Sequence, residues 1–212
     1  MTLSAKARLT LKPLDIKCTG SDCKNNLHCF LATKKVLRQG LGGDCRSCGA
    51  RLVDWDRVHR RDARDAAHTF EMLKLEMVRH HFWHKEIDEK AVGHARRKGR
   101  AGIRVAIGNR LRKSLRVGNP WDGRQTPKQD NSIFYAQHAT ATCCRRCLEE
   151  WHAIPPGREL SDEEIAYLTD LCAMFIDERL PRLTEDGEKI PPARGPKPKR
   201  TGEEAPTDDG SH

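Results

Sequence analysis

Apolar side chains are scarce in this sequence, and the shortage limits how the chain can fold. Of its 212 residues, 5% are aromatic and 37% are hydrophobic when glycine is not counted; typical globular chains contain ~45–50% apolar residues when glycine is counted. The N-terminus has no sustained apolar segment, and no stretch approaches the ~20 apolar residues of a membrane-spanning helix. We therefore expect neither a secretory signal nor a membrane span, and we predict a cytoplasmic protein in a reducing environment.

Acidic residues are missing from one long stretch. Between His94 and Arg116 the sequence contains no Asp or Glu, and the formal net charge of the whole chain is +9. A field of one sign attracts polyanions, although a solvated helix face can show the same pattern. We predict a nucleic-acid-binding surface formed by Arg96, Arg97, Lys98, Arg100, Arg104, Arg110, Arg112, Lys113 and Arg116.

Cysteine, in contrast, is abundant, and five of the nine cysteines lie in the first 55 residues. Clustered thiols in a reducing compartment indicate metal binding, and a bound metal can stabilise a chain whose core is small. Two short cysteine pairs predict one closed, structural zinc centre. Its predicted ligands are Cys18, Cys23, Cys45 and Cys48. His28 and Cys29 are alternatives to either member of the first pair.

A second concentration of ligands lies in residues 137–152, which read QHATATCCRRCLEEWH. The spacing predicts a second zinc centre with the ligands His138, Cys144, Cys147 and His152. Adjacent cysteines do not easily point the same way, so the choice between Cys143 and Cys144 stays open. Two alternatives are a buried cysteine-rich turn without metal and a thiol enzyme, in which Cys143 is the nucleophile and a flanking histidine is the base.

Glu76, His80 and His84 form a third group, because residues four apart share one face of a helix. Such a set can bind a catalytic metal or transfer protons. Histidines near a helix C-terminus are also common as hydrogen-bonded packing residues. These three are the candidate catalytic residues, and whether the chain is an enzyme stays open.

Periodic apolar residues predict a mainly α-helical fold with small zinc-stabilised β elements, an α+β class. Helices are predicted over 62–84, from about Ala101 onward, and over 161–180, where Ser161 and Glu164 form a capping box. The predicted units are a zinc ribbon-like module at 1–55, a helical basic region at 56–117, a Cys/His module with the capped helix at 118–182, and a disordered tail at 183–212.

Two stretches resemble known families. CRSCGARLVDWDRVH, residues 45–59, is similar to the zinc knuckle of HNH endonucleases, in which a histidine activates water beside a catalytic metal. Here Asp54 is followed by Trp55, His59 comes four residues later, and no Asn-His pair follows. Residues 118–180 resemble an uncharacterised bacterial family of small Cys/His-rich proteins, a domain of unknown function. That resemblance implies that these residues act as one unit.

Together these patterns predict a protein that binds two zinc ions, one in each ligand group, and that contacts nucleic acid through its basic helical region. The first alternative is a metal-dependent nuclease. The second is a zinc-stabilised interaction module with a protein partner. Contacts to phosphates position a protein without reading sequence, so the prediction does not distinguish DNA from RNA.

Overall fold

The structure, a computed structural model, describes residues 17–32, 42–115 and 126–191. Across these ranges the chain is mainly α-helical. The helices are α1 (Trp55–His59), α2 (Ala66–Leu73), α3 (Met77–His84), α4 (Glu89–Leu115), α5 (Ser132–Ala139), α6 (Arg145–His152) and α7 (Asp162–Arg179), with short 3-10 turns at Cys23–Asn25 and Ala63–Asp65. None of these helices combines the length and the apolar character needed to cross a membrane.

Within the described ranges no β-strand forms, so the predicted β elements are not observed there. Two isolated bridges are present instead, one between Asp22 and Leu27 and one between His28 and Glu76. Residues 116–125, which include Arg116 of the predicted basic surface, lie outside the described residues, as does the end of the predicted tail from residue 192.

The main core lies between α4, α5 and α7, with α2 and α3 packed alongside. The periodic apolar residues from which this helix was predicted lie on its buried face, and each of the four is at most 3% exposed. They are Ile103, Ile107, Leu111 and Leu115. The helix itself begins earlier than predicted, at Glu89, and includes a kink at Gly99.

Helix α7 follows its local signals closely. Ser161 accepts a hydrogen bond from the Glu164 backbone, and the Glu164 side chain accepts one from the Ser161 backbone, so the predicted capping box is confirmed. The periodic apolar residues of this helix are also buried in the main core. They are Ile165, Leu168, Cys172, Phe175 and Ile176.

The prediction of a single helix over 62–84 is wrong. Helix α2 ends at Leu73 and α3 begins at Met77. In the gap, Leu75 O accepts from His28 N at 2.8 Å, and Met77 N donates to His28 O at 2.9 Å. The backbone leaves the helical path because the N-terminal segment takes these hydrogen bonds.

Residues 183–190, which the sequence assigns to a disordered tail, instead contact the kink of α4. Arg100 N donates to Thr184 O at 2.9 Å and Glu188 N donates to Arg96 O at 2.8 Å. Gly99 has a φ of 65° and a ψ of 178°, a backbone region that essentially only glycine occupies. The kink therefore exposes backbone groups, and this segment satisfies them.

A second, smaller core joins the N-terminal segment to α6. Its centre is an aromatic triad of Phe30, Trp55 and Trp151, whose ring centroids lie 5.0–5.8 Å apart. Aromatic rings supply much buried area per residue, which suits a chain with few of them. The rings of Phe30, Trp55 and Trp151 thus form the centre of this smaller core.

Candidate metal centres

The first cluster consists of Cys23, His28, Cys45 and Cys48, whose ligand atoms all lie within 4.8 Å of one another. The sulfurs of Cys23 and Cys45 are 3.7 Å apart. The Cys48 sulfur lies 3.5 Å from His28 Nδ1. Four donor atoms thus converge on one point, and the cluster could hold a metal ion.

The turn at Asn26 orients His28 toward the other donors of the first cluster. Asn26, in the left-handed region with a φ of 58°, reverses the chain between Cys23 and His28. Its side-chain Oδ1 lies 3.1 Å from His28 Nε2, so the ring can donate there and turn Nδ1 toward the sulfurs. A hydrogen bond of this kind fixes the tautomer and orientation of a ligating histidine.

Cys45 and Cys48 lie in a tight turn, closed by a hydrogen bond of 2.8 Å from Gly49 N to Cys45 O. Burial opposes ionisation of the Cys45 thiol, but hydrogen bonds from the backbone of Cys29, Cys48 and Ser47 outweigh it and lower its pKa to about 6. The turn therefore favours the thiolate, which is the form that binds metals.

The structure does not place Cys18 in this first cluster. His28, which the sequence left open as an alternative, occupies that place. Spacing alone could not decide between them, because both lie five residues from Cys23.

The second cluster consists of Cys143, Cys144 and Cys147. The Cys147 sulfur lies 3.5 Å from that of Cys143 and 3.4 Å from that of Cys144. Both adjacent cysteines take part, and Ala141, with a φ of 55°, turns the chain two residues before Cys143. Cys144 is the N-cap residue of α6, where the helix dipole stabilises negative charge.

The three thiols of the second cluster differ in acidity. Hydrogen bonds from Cys143 and Cys147 lower the pKa of Cys144 to about 3. The same contacts, together with burial, raise the pKa of Cys143 well above its ordinary value. Negative charge within this cluster is favoured by its surroundings, because Cys144 is the N-cap residue of α6 and Cys147 accepts from Arg79.

Arg79 of α3 is the main residue that the sequence analysis missed. Its side chain is 2% exposed, and its Nη2 donates to the Cys147 sulfur at 3.1 Å. Its Nη1 donates to His138 O at 2.8 Å and lies 3.9 Å from the Cys143 sulfur. Burial opposes the charge on Arg79, but the Cys147 sulfur and Glu76 outweigh it and raise its pKa.

Glu76 lies on the far side of Arg79. Its Oε2 accepts from Arg79 Nε at 3.0 Å and from Trp151 Nε1 at 2.7 Å. Burial raises the pKa of this carboxyl, and the two hydrogen bonds oppose that rise. The backbone of Glu76 also forms the bridge to His28, so this residue links the surroundings of both clusters.

His138 and His152, the predicted histidine ligands, are not grouped with the three thiols. His138 Nε2 lies 2.9 Å from Thr126 O, and His152 Nε2 lies 3.0 Å from Thr140 O. Burial lowers the pKa of each to about 4. Both are therefore neutral rings that donate to backbone carbonyls.

The candidate catalytic residues Glu76, His80 and His84 are not gathered into one metal group in the part of the chain that is described. Glu76 is the N-cap residue of α3 and points at Arg79. The rings of His80 and His84 contact each other, with centroids 4.0 Å apart and planes tilted by 34°. Residues 55–59, at the end of the stretch that resembles the zinc knuckle of HNH endonucleases, form helix α1, with Asp54 as its N-cap.

The model of one protein family, a domain of unknown function (DUF4186), matches residues 67–177. The chain belongs to this family. The resemblance to an uncharacterised domain family is thereby confirmed, and the match begins earlier than residue 118. No match was found among solved structures.

The part of this DUF4186 chain that matches the family model contains the second cluster, Arg79, Glu76 and Trp151. The first cluster precedes that part. The second candidate metal centre therefore lies inside the family domain. The first lies in the N-terminal segment, which packs against that domain through the smaller core.

The basic stretch faces carboxylates that are distant in sequence. Four of its arginines form ion pairs with acidic residues of α7 and the segment that follows. The pairs are Arg96–Glu188, Arg100–Asp177, Arg104–Asp170 and Arg112–Asp162. Arg110 lies over the Phe134 ring, 5.1 Å from its centroid. The fold therefore offsets much of the one-signed charge that the sequence shows.

Proposed function

We propose that this protein binds two zinc ions and that the metals join its N-terminal segment to the family domain. The observation that carries the proposal is the convergence of four donor atoms, Cys23, His28, Cys45 and Cys48, within 4.8 Å. A set of three thiolates and one imidazole is a common structural zinc site. Because four protein ligands close the tetrahedron, this first centre is structural.

The spacing of the donors supports zinc. Zinc binds sulfur at about 2.3 Å and imidazole nitrogen at 2.0–2.1 Å, so a tetrahedron has edges of roughly 3.8 Å between sulfurs and 3.6 Å between sulfur and nitrogen. The observed separations are 3.7 Å for Cys23 and Cys45, and 3.5 Å for Cys48 and His28.

The second cluster supports a thiolate-rich centre of the same kind. Its sulfur separations, 3.4 and 3.5 Å, are close to a tetrahedral edge and far from the ~2.05 Å of a disulfide. Arg79 adds positive charge beside sulfurs that must be ionised to bind metal. Donors around ligands tune a metal site and hold its ligands in place.

Elemental analysis of the purified protein tests the proposal. We expect two equivalents of zinc, falling to one in Cys45→Ser and to one in Cys147→Ser. Cys172→Ser is the matched control, because Cys172 is buried and contacts only the hydroxyls of Thr140 and Thr142 among the hydrogen bonds described. Two equivalents retained in both ligand variants would contradict the assignment.

Nucleic-acid binding stays a separate prediction with less support, since four arginines of the basic stretch are ion-paired within the fold. The net charge of +9 still favours it. Affinity for DNA or RNA should fall steeply between low and moderate salt. Absence of binding at low salt would rule it out, and cleavage on addition of Mg²⁺, Mn²⁺ or Zn²⁺ would point to the nuclease alternative.

A further inference from the structure

The second cluster supplies three sulfur ligands, whereas a closed tetrahedral zinc centre takes four. Two nearby histidines, His138 and His152, donate from Nε2 to backbone carbonyls, and neither is grouped with the three sulfurs. The Nδ1 of His152 is buried without a hydrogen-bond partner, so a His152 ligand is the alternative that puts a nitrogen in place of a fourth sulfur. The Cys172 sulfur contacts Thr140 and Thr142 at 3.3 and 3.2 Å. Cys18 is not part of the first cluster.

The turn that carries Cys18 packs on α3 close to Arg79. Gly20 N donates to Lys17 O at 2.9 Å and closes this turn. A side-chain carbon at Gly20 would lie 3.4 Å from the sulfur of Met77, two residues before Arg79. The Cys29 thiol also donates to Cys18 O at 3.5 Å, which ties the turn to the following segment.

The half-buried Cys18 thiol lies in the electrostatic surroundings of the second cluster. Burial raises its pKa, and the groups that act on it next are Arg79, Cys147 and Glu76. Its sulfur is not within 4.8 Å of all three cluster sulfurs. Ligation therefore requires the Cys18 sulfur to come closer to the three cluster sulfurs.

We propose that Cys18 is the fourth ligand of the second centre, completing a four-cysteine zinc site with Cys143, Cys144 and Cys147. This inference rests on the proposed function. It makes the second metal a crosslink between the N-terminal turn and α6, with the first centre's ligands lying between them in sequence. Four thiolates would also make this centre structural rather than open to substrate.

X-ray absorption at the zinc edge of the full-length protein tests this assignment, because it counts sulfurs per zinc. One centre with three sulfurs and one with four give an average of about 3.5 sulfurs, and a nitrogen or oxygen in place of the Cys18 sulfur gives about 3.0. This measurement needs no variant. A wild-type value near 3.0, with two zinc ions bound, would overturn the assignment and leave the proposed function intact.

Cys18→Ser provides a second measurement. We expect the average number of sulfurs per zinc to fall by about 0.5 in this variant. We also expect one of the two zinc ions to transfer to a chelator at least about tenfold faster than in wild type. Cys29→Ser is the matched control from the same segment, since serine keeps a donor for Cys18 O. Equal behaviour of the two variants would overturn the assignment. A Cys147→Ser variant that still binds two zinc ions would instead overturn the proposed second centre itself.

Discussion

At the scale of single residues, the buried Arg79 decides how the second cluster is held. It contacts a carboxylate on one side and two sulfurs on the other. A buried charge is tolerated only when it is paired and hydrogen-bonded. Arg79 satisfies this requirement through Glu76, His138 O and Cys147, so each partner depends on the others.

Replacing Arg79 should therefore destabilise the fold strongly. Arg79→Met leaves the Glu76 carboxylate buried without its cation, and breaking such a pair costs about 3–5 kcal/mol. Urea denaturation of the zinc-loaded protein measures the free energy of unfolding. The double variant Glu76→Gln with Arg79→Met should recover part of the loss, because the neutral amide can still accept from Trp151. A single variant as stable as wild type would contradict this role.

The neutral ring of His152 predicts a pH dependence. Burial lowers its pKa from 6.5 to about 4, so below pH 6.5 the unfolded chain takes up a proton that the folded chain does not. The free energy of unfolding should decrease as pH falls from 6.5 to about 4, by up to roughly 3 kcal/mol from this ring.

His152→Gln removes that titration and retains a neutral donor for Thr140 O. Its free energy of unfolding should change less between about pH 6.5 and 4.5 than that of wild type, as measured by denaturation at each pH. His84→Gln, at an exposed position, is the control and should keep the wild-type dependence. Identical pH profiles for His152→Gln and wild type would contradict the assignment.

At the scale of helices and segments, the kink of α4 and the segment 183–190 form one unit. A side-chain carbon on Gly99 would lie 2.4 Å from the backbone of Glu185 and Asp186. Gly99→Ala should therefore destabilise the protein by roughly 1–3 kcal/mol from backbone strain alone, with a further cost from displacing the segment. Thermal denaturation measures the loss.

Gly93 of the same helix provides the comparison. There an added carbon meets only the end of the Arg97 side chain, at 3.3 Å. Gly93→Ala should be neutral or should stabilise the helix by up to about 1 kcal/mol, because alanine is the better helix former. Similar losses in both variants would show that Gly99 has no special role.

Local signals explain which elements were predictable from the sequence. Helix α7 has its cap, its apolar stripe and its end within one short stretch, so spacing alone predicts it. The break at Leu75 arises from hydrogen bonds to His28, which is distant in sequence. Periodicity cannot report a pairing with a distant segment.

The same limit explains why the candidate site could be predicted only in part. Clustered cysteines predict metal ligands, and both clusters contain cysteines expected from spacing. Arg79 lies 64 positions from Cys143, and nothing in its own neighbourhood marks it as a partner of thiols. Likewise, the acids that pair with the basic stretch lie on α7 and the segment after it, so the sequence overstated the free positive charge.

At the scale of the whole molecule, two ligand clusters share one small core. The aromatic triad lies among residues of both, with Cys45, Cys143 and Cys147 buried in the same group. The larger core of α4, α5 and α7 is separate in its packing and includes no cluster ligand. Metal binding should therefore stabilise the N-terminal part much more than the helical part, because ligation supplies folding free energy to small modules.

Hydrogen exchange of the full-length protein, with and without a zinc chelator, tests this central claim most directly. We predict that zinc removal exposes the amides of residues 17–32 and 42–58, whereas those of α4 and α7 stay protected. Unchanged protection in the N-terminal part after complete zinc removal would contradict the account, and so would equal loss of protection throughout the chain.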